Sequence, residues 1–110
     1  MSDCIFCKIA NGAFNTEFVY ENDKVAVFKD INPVAPVHLL VVPKIHVESL
    51  RELDDKELMG ELLSAVNISC KKLNITDYRT VINTGKGAGQ EVFHLHIHVI
   101  SGRPLNWPPG

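Results

Sequence analysis

The sequence predicts an α+β fold in which one long helix covers one face of a small antiparallel sheet. Short apolar segments alternate with turn residues, as is typical of antiparallel strands joined by short connections. One longer segment, residues 54–74, carries apolar side chains at helical spacing instead. The length of 110 residues suits one domain, so we expect a single domain over residues 1–110.

The first half of the chain is expected to contain a short helix and three strands. Cys4 to Asn11 is predicted as the short helix, which Gly12 ends. Phe18 to Tyr20 and Lys24 to Phe28 are predicted as a hairpin around a polar turn. After a proline-rich loop, His38 to Val42 is a nearly continuous apolar strand, and such a run predicts cover on both of its faces.

The long helix is predicted from Asp54 to Asn74. Asp54 is a favourable N-cap, and Glu57 three residues later would complete a capping box. Strands from Tyr78 to Asn83 and from Glu91 to Ile100 are expected after the helix, with a glycine-rich loop between them. The apolar stripe of the helix is predicted to consist of Leu58, Met59, Leu62, Leu63, Val66, Cys70 and Leu73.

The composition argues against several functional classes. The net charge is −2, and no basic stripe interleaved with aromatic residues is present, so nucleic-acid binding is not expected. No apolar run approaches the ~20 residues that span a bilayer, so no membrane partner is expected. The first residues do not resemble a signal peptide. Three cysteines, an odd number, indicate thiols or metal ligands in a cytoplasmic protein.

Three histidines alternate with apolar residues in the last strand, HLHIHVI. Because strand side chains alternate between faces, His94, His96 and His98 share one face and the intervening apolar residues face the core. Imidazoles crowded in this way are expected to lower one another's pKa values. A lone histidine is usually structural, but three in strict alternation favour a nucleophile, with a metal site as the rival interpretation.

A glycine-rich loop, GKGAGQ, precedes the histidines. Gly85, Gly87 and Gly89 are expected to allow positive φ, and consecutive amides in such a turn can form a nest for a phosphate. Alone, the pattern would indicate a plain turn, and it is not a Walker loop. Its place before the histidines predicts a phosphate held in front of His96.

Cys4 and Cys7 are spaced to share one metal ion. A tetrahedral zinc needs two further ligands, for which His46 and His94 are the candidates. Four protein ligands would leave no open position, so the role would be structural. A redox pair or two inert thiols remain alternatives. Cys70 lies on the helical stripe and is expected in the core.

These motifs resemble those of the histidine-triad (HIT) superfamily, and most closely its nucleotide-binding (Hint) branch in a zinc-containing form. HLHIHVI fits the pattern His-φ-His-φ-His-φ-φ, and FKDINPVAPVHLLVVPK, GQEVFHLHIHV and GRPLNWPPG also match. The resemblance implies a five-stranded antiparallel sheet with one long helix, paired into a homodimer with a ten-stranded sheet. It also implies a purine nucleoside phosphoramidase, which cleaves the bond between an α-phosphate, typically of AMP, and an amine.

The resemblance implies a role for each matching residue. His96 matches the nucleophile that forms a nucleotidyl-histidine. His98 matches the residue that contacts the phosphate and aids proton transfer, and His38 matches the fourth histidine, which orients His96. Asp30 matches the carboxylate that binds the ribose hydroxyls. Zinc ligands in related nucleotidyl transferases match Cys4, Cys7, His46 and His94.

Further residues match the nucleotide pocket. The apolar walls around the base correspond to Ile5, Phe6, Phe28 and Ile31, which without the resemblance would be predicted as core. The sugar and phosphate contacts correspond to Asn83, Gly89, Gln90, Glu91 and Val92. Trp107 matches an aromatic residue that reaches the partner's site. Two residues depart from relatives: Glu91 replaces a serine that many of them have near the leaving group, and Lys29 replaces a histidine that some of them have beside the base pocket.

Three alternative functions remain open from the sequence. The same scaffold supports dinucleoside polyphosphate hydrolases and nucleotidyl transferases, although the ending RPLNWPPG favours the phosphoramidase. A nucleotide-binding module with incidental turnover is the second alternative. Metal storage or sensing by the cysteines and histidines is the third.

Overall fold

The computed structural model describes residues 3–110, so the first two residues of the predicted domain lie outside it. The described chain forms a five-stranded antiparallel sheet in the order β1-β2-β3-β5-β4, which confirms the predicted α+β class. The helices are α1 (Ile5–Ala10) and α2 (Lys56–Lys72), with 3₁₀ turns at Leu50–Glu52 and Lys86–Ala88. The strands are β1 (Tyr20–Glu21), β2 (Val25–Lys29), β3 (Val37–Pro43), β4 (Arg79–Val81) and β5 (Ile97–Ser101).

The sheet is covered on both faces, as the apolar run of β3 predicts. Leu39 and Val41 point to one face, where they pack with residues of α2. Leu40 and Val42 point to the other face, where they pack with Phe6 of α1. Among residues 3–110, each helix is too short or too polar to cross a lipid bilayer.

The start of α2 differs from the prediction by one residue. Asp55, not Asp54, is the N-cap, and its side chain accepts a hydrogen bond from the Leu58 amide at 3.1 Å. Leu58 therefore occupies the position that a capping box requires for Glu57, and the box does not form. Glu57 instead pairs with Lys24 across the helix–hairpin contact.

The buried stripe of α2 also differs from the prediction at its edges. Leu63 and Leu73 are exposed, whereas Ala65 and Ser69 are buried. The face of α2 that packs on the sheet is narrower than the predicted apolar stripe. Residues at the edge of the stripe are therefore exposed to solvent even when they are apolar. The other buried residues are Leu58, Leu62, Val66 and Cys70, all of them predicted.

The last strand is shorter than predicted, because β5 begins at Ile97 rather than Glu91. Just before it, the Leu95 amide donates to the carbonyl of Val47 at 2.7 Å, in the loop that follows β3. The side chains nevertheless keep alternating. Leu95 packs in the same cluster as Ile97 and Val99, against α2, as the sequence predicts. β4 is likewise shorter than the predicted strand from Tyr78 to Asn83.

Candidate functional site

The three alternating histidines lie on the face of the sheet that α1 covers. The Phe6 ring of α1 meets the His96 ring edge to face, with centroids 5.0 Å apart, and the His94 ring at 6.1 Å. The His96 and His98 rings are themselves 5.0 Å apart. The predicted row of imidazoles is therefore formed, with Phe6 packed against it.

The protonation of His96 is set by the backbone. Its Nδ1 lies 2.7 Å from the carbonyl oxygen of His94. Because a carbonyl can only accept, Nδ1 carries the proton and Nε2 carries the lone pair. Nε2 has no hydrogen-bond partner among residues 3–110. In that range Ser69 Oγ is the one fully buried side-chain polar atom without a partner, so Nε2 still reaches solvent although the residue is only 6% exposed.

His38 and His98 form a second chain of fixed tautomers. The Val34 amide donates to His38 Nδ1 at 3.1 Å, so His38 carries its proton on Nε2. That Nε2 lies 2.8 Å from His98 Nδ1, which must accept. The proton of neutral His98 is therefore on Nε2. The direct partner of His38 is His98, not His96 as the resemblance implies, so any effect of His38 on His96 passes through His98.

Asp30 lies beside the contact between His38 and His98. Its Oδ2 is 3.4 Å from His38 Nε2, and its Oδ1 accepts a hydrogen bond from the Asn32 amide at 2.8 Å. Burial, followed by the charges of His96 and His38, lowers the pKa of His98 from 6.5 to about 4, and Asp30 opposes this only in part. His98 is consequently neutral at pH 7 and presents an N–H rather than a positive charge.

Asp30, His38 and His98 are close enough to suggest a metal site, since their candidate ligand atoms lie within 4.8 Å of one another. A metal would need the lone pair of His38 Nε2. The Val34 amide donates a hydrogen bond to His38 Nδ1, so the lone pair of the neutral ring is on Nδ1 and Nε2 carries the hydrogen. The tautomer of His38 therefore argues against metal binding by this group.

The predicted metal ligands Cys4, Cys7, His46 and His94 do come together, with ligand atoms within 4.8 Å of one another. His94 Nδ1 is 3.3 Å from Cys4 Sγ and 3.4 Å from Cys7 Sγ, and His46 Nδ1 is 3.3 Å from Cys7 Sγ. Zinc bonds of about 2.3 Å to sulfur and 2.0–2.1 Å to nitrogen imply sulfur–nitrogen separations of roughly 3.5 Å at tetrahedral angles. The donor set therefore fits one zinc ion.

The surroundings of this cluster also suit a metal. His94 Nε2 lies 2.8 Å from the Pro43 carbonyl and must carry the proton, so the Nδ1 lone pair faces the two sulfur atoms. Burial lowers the pKa of His94 and thus keeps the imidazole neutral. Burial and the neighbouring Cys4 raise the pKa of Cys7 to about 11, so a metal that binds the Cys7 thiolate must displace a proton. Cys70 is buried in the core as predicted.

Only some of the residues predicted to line the base pocket contact one another. Phe6 and Phe28 are buried and contact each other edge to face at 5.8 Å, and Val92 packs against the same cluster. Ile5 is exposed, and Ile31 is 91% exposed. The alternative interpretation of these residues as plain core is therefore wrong for Ile5 and Ile31, which are free to meet a ligand.

The glycine-rich loop leaves only some of its amides available for the predicted phosphate nest. Gly85 and Gly89 have φ of +88° and +92°, but Gly87 lies inside a 3₁₀ turn. The amides of Ala88, Gly89 and Gln90 donate to carbonyls within the loop. Within residues 3–110, no such bond is made by the amides of Lys86 and Gly87 in the loop, or by those of Glu91 and Val92 just after it. Donors for an anion are therefore available both within the loop and just after it.

The remaining predicted site residues are exposed or half-buried. Gly89 and Glu91 are exposed, Asn83 is half-buried, and Trp107 is 82% exposed. Within residues 3–110 none of these four makes a hydrogen bond or ring contact with the three histidines. Lys29 is exposed and lines a cavity of about 360 Å³ on the side of α2. Asp30 and His38 border the same cavity.

Some groups that shape the site carry no sequence signal. The carbonyls of Pro43 and His94 and the amide of Val34 fix the three tautomers. These are backbone groups, which almost every residue possesses, so no residue pattern could reveal them. Gln90 is predicted from the sequence only as a nucleotide contact, and its burial among backbone partners is seen only in the structure.

Comparison with known proteins gives consistent matches. A family model described as "HIT domain" matches residues 11–105. Protein HitA of Neisseria gonorrhoeae is 48% identical over 108 residues, covering 96% of this chain and all of that protein. The 14 kDa zinc-binding protein of Zea mays is 40% identical over 114 residues, covering 99% of this chain and 89% of that protein. A HIT family hydrolase from Legionella pneumophila has a TM-score of 0.91 at 38% identity, covering 98% of this chain and all of that one.

Proposed function

The chain belongs to the HIT family, and from that premise we propose that it is a hydrolase of purine nucleoside phosphoramidates. The bond cleaved joins the α-phosphorus of a nucleoside monophosphate, with AMP the expected one, to the nitrogen of an amine. The observation that carries this proposal is the His96 tautomer. A proton held on Nδ1 by the His94 carbonyl leaves a lone pair on Nε2, which reaches solvent.

In the first step the lone pair of His96 Nε2 attacks the α-phosphorus. The phosphorus–nitrogen bond breaks, and its electron pair leaves with the amine nitrogen, which takes a proton from solvent water. The product on the protein is a nucleotidyl-histidine with a positively charged ring. The His94 carbonyl, 2.7 Å from Nδ1, stabilises that charge because the Nδ1–H bond points directly at it.

In the second step water attacks the same phosphorus atom. The bond between His96 Nε2 and phosphorus breaks, and the electron pair returns to Nε2. The nucleoside monophosphate leaves, and the net reaction has consumed one water. Splitting one displacement into two easier ones is the general advantage of a covalent nucleophile.

His98 assists by donating a hydrogen bond. With a pKa of about 4 it is neutral at pH 7, and the chain from Val34 through His38 leaves its proton on Nε2. That N–H stabilises the negative charge that grows on the phosphate oxygens. The amides of Glu91 and Val92 are the proposed backbone donors to the same phosphate.

The nucleoside would lie along the α1 side of the sheet. The base would pack between the aromatic residues Phe6 and Phe28 and the exposed side chains of Ile5 and Ile31. Asp30 would accept from the ribose hydroxyls, since a carboxylate can accept two donors. Asn83 and Gly89 remain the proposed polar contacts at the mouth of the site.

The test is turnover of an adenosine phosphoramidate by the wild-type protein and by His96→Ala. We expect the variant to fold normally and to lose at least about 10²-fold in rate. Acid-quenched wild-type protein should carry one adenylyl group by mass spectrometry, and the variant none. A dinucleoside polyphosphate assayed in parallel separates the alternative hydrolase. An unchanged rate in His96→Ala would sink the proposal, and AMP binding without turnover would point to a binding module.

We also propose that Cys4, Cys7, His46 and His94 hold a structural zinc ion. The distances and tautomers of the cluster support this, as does the similarity to a zinc-binding protein of Zea mays. When bound, the zinc would supply a crosslink between α1, the loop after β3 and the start of the histidine segment. Free thiols at these positions fit the cytoplasm as the proposed location.

The assembly proposed from the family resemblance is a homodimer. Residues 3–110 leave the outer edge of β4 without a neighbouring strand, so the sheet can continue into a second copy. In that dimer the exposed Trp107 of one chain would reach the site of its partner.

A further inference from the structure

Gln90 is buried beside the proposed phosphate site, although its side chain is polar. Its Oε1 accepts a hydrogen bond from the Gly85 amide at 2.8 Å. Its Nε2 donates to the Glu48 carbonyl at 2.7 Å and to the Val92 carbonyl at 3.1 Å. The donor at Gly85 and the two acceptors fix which end of the amide is oxygen and which is nitrogen.

These bonds leave the Gln90 side chain little to offer a nucleotide. Both N–H groups are used, and the oxygen already accepts from the backbone. The residue also binds Gly85 a second time, because the Gln90 amide donates to the Gly85 carbonyl at 3.2 Å. Gly85 and Gln90 therefore close the glycine-rich loop at its base with two bonds.

The same side chain joins three separate segments. Glu48 belongs to the loop that also contains His46, Gly85 begins the glycine-rich loop, and Val92 follows it. The bond to the Val92 carbonyl helps to fix the backbone of the segment in which the amides of Glu91 and Val92 remain without partners. Preorganised donors of this kind are the ones that stabilise charge most strongly, because they need no rearrangement when the charge appears.

We propose that Gln90 is a positioning residue that sets the orientation of the Glu91 and Val92 amides toward a bound phosphate, and not a nucleotide ligand itself. This inference rests on the proposed function for the identity of the ligand. It assigns the side chain a different role from the direct nucleotide contact that the family resemblance implies.

Two substitutions test this role. Gln90→Glu keeps the acceptor for Gly85 but replaces two donors by an oxygen that faces two carbonyls. Gln90→Met has a similar length, carries no charge and removes all three side-chain bonds. Asn15→Asp is the control for the added charge, since Asn15 is an exposed residue between α1 and β1.

The first readout is amide hydrogen exchange of the free protein. Residues 85–92 should exchange about tenfold faster or more in both Gln90 variants and should be unchanged in Asn15→Asp. The second readout compares AMP with adenosine. Affinity for AMP should fall at least about tenfold, as for the loss of a well-placed hydrogen bond to a charged group, while affinity for adenosine stays the same. A merely structural role would not separate the two ligands.

Two outcomes would overturn the inference. If affinity for AMP falls while exchange in the free protein is unchanged, Gln90 contacts the nucleotide directly. If the affinities for AMP and adenosine fall together, the side chain does not act through the phosphate donors. Should the wild-type protein hydrolyse no phosphoramidate, the proposed function fails, whereas exchange and AMP binding still decide the role of Gln90.

Discussion

At the scale of single residues, the backbone determines which nitrogen of each key histidine carries the proton. The His94 carbonyl does this for His96, the Pro43 carbonyl for His94, and the Val34 amide for His38. Each lone pair is thereby aimed at one target: solvent, the two cysteines, or the backbone. Adjacent imidazoles with such fixed tautomers can serve different chemistry without exchanging roles.

The lowered pKa of His98 predicts that stability depends on pH. Its pKa is about 4 in the folded protein, where burial, followed by the charges of His96 and His38, opposes its protonation and Asp30 favours it, against 6.5 when unfolded. Between these values the unfolded chain binds more protons, so the free energy of unfolding decreases as pH falls from about 6.5 to about 4. The contribution is of the order of 3 kcal/mol at most.

Denaturant unfolding at pH 7 and pH 4.5 measures this effect. Burial lowers the pKa of His94 as well and adds to the slope, so the wild type should be compared with His98→Gln. The variant should lose less stability than the wild type over the same interval. Equal losses in the two proteins would show that His98 titrates normally.

The sequence predicts which residues form the site better than it predicts the hydrogen bonds between them. Alternation alone places His94, His96 and His98 on one face, and the spacing of Cys4 and Cys7 suggests a shared metal. It could not show that His38 pairs with His98, because that contact joins residues sixty positions apart in the chain. It also could not show that the amides of Ala88, Gly89 and Gln90 in the glycine-rich loop donate to carbonyls of the same loop.

At the scale of elements, α1 is too short to be stable by itself. A helix of six residues lies well below the ~12 residues at which isolated helices become marginally stable. Its apolar residues Phe6 and Ala10 are buried in the core. Cys4 and Cys7 connect its first turn to His94. Because Phe6 also contacts His96, the metal cluster holds the element that borders the proposed nucleophile.

Removal of the proposed zinc should therefore loosen α1. We expect about one zinc per chain in protein prepared with zinc, and Cys7→Ala should lose it. Chelation should lower the melting temperature and accelerate hydrogen exchange in residues 4–11. Cys70→Ala, which removes a buried thiol outside the cluster, should keep its zinc. Zinc-free wild-type protein with full protection of α1 would contradict a structural role.

The glycines of the chain offer a matched pair of stability tests. Gly60 is exposed in α2, and a Cβ there would meet no atom within 4 Å, so Gly60→Ala should stabilise the protein by about 1 kcal/mol. Gly102 has φ of +97°, and a Cβ would lie 2.9 Å from Pro36 Cβ. Gly102→Ala should therefore destabilise it by at least about 1 kcal/mol. Melting temperatures that shift in the same direction for both would refute this account.

Helix boundaries show a further limit of sequence patterns. Asp54 and Asp55 are equally good N-caps, and only the packed structure selects Asp55. Similarly, hydropathy could not separate Leu62, which is buried, from Leu63, which is exposed. The decision depends on which arc of α2 faces the sheet, and that arc is set by contacts with distant strands.

At the scale of the whole molecule, the outer edge of β4 lies beside an exposed flank of α2. The outer edge of β4 has no neighbouring strand within residues 3–110. Beside it, Tyr78 at the start of this strand hydrogen-bonds Asn67 of α2. Leu63 lies one helical turn before Asn67 on the same flank and is 56% exposed. An edge strand next to an exposed leucine is a surface that a second copy can cover.

The proposed dimer makes a specific prediction about this surface. The wild-type protein should have twice the chain mass of 12.2 kDa in solution by light scattering. Leu63→Glu should produce monomers, because it would bury a charge without a partner in the interface. Ile68→Glu is the control, since Ile68 is exposed on the opposite flank of α2, where Lys72 contacts Val19 and the hairpin.

The control should remain dimeric. If both variants dissociate, the interface includes the hairpin side of α2, and the continuous sheet through β4 is the wrong geometry. A monomeric wild type would remove the dimer altogether, and with it the proposed reach of Trp107 into a partner's site. The site around His96 would then have to act within a single chain. The contact that fixes its tautomer, between His96 Nδ1 and the His94 carbonyl, already lies within one chain.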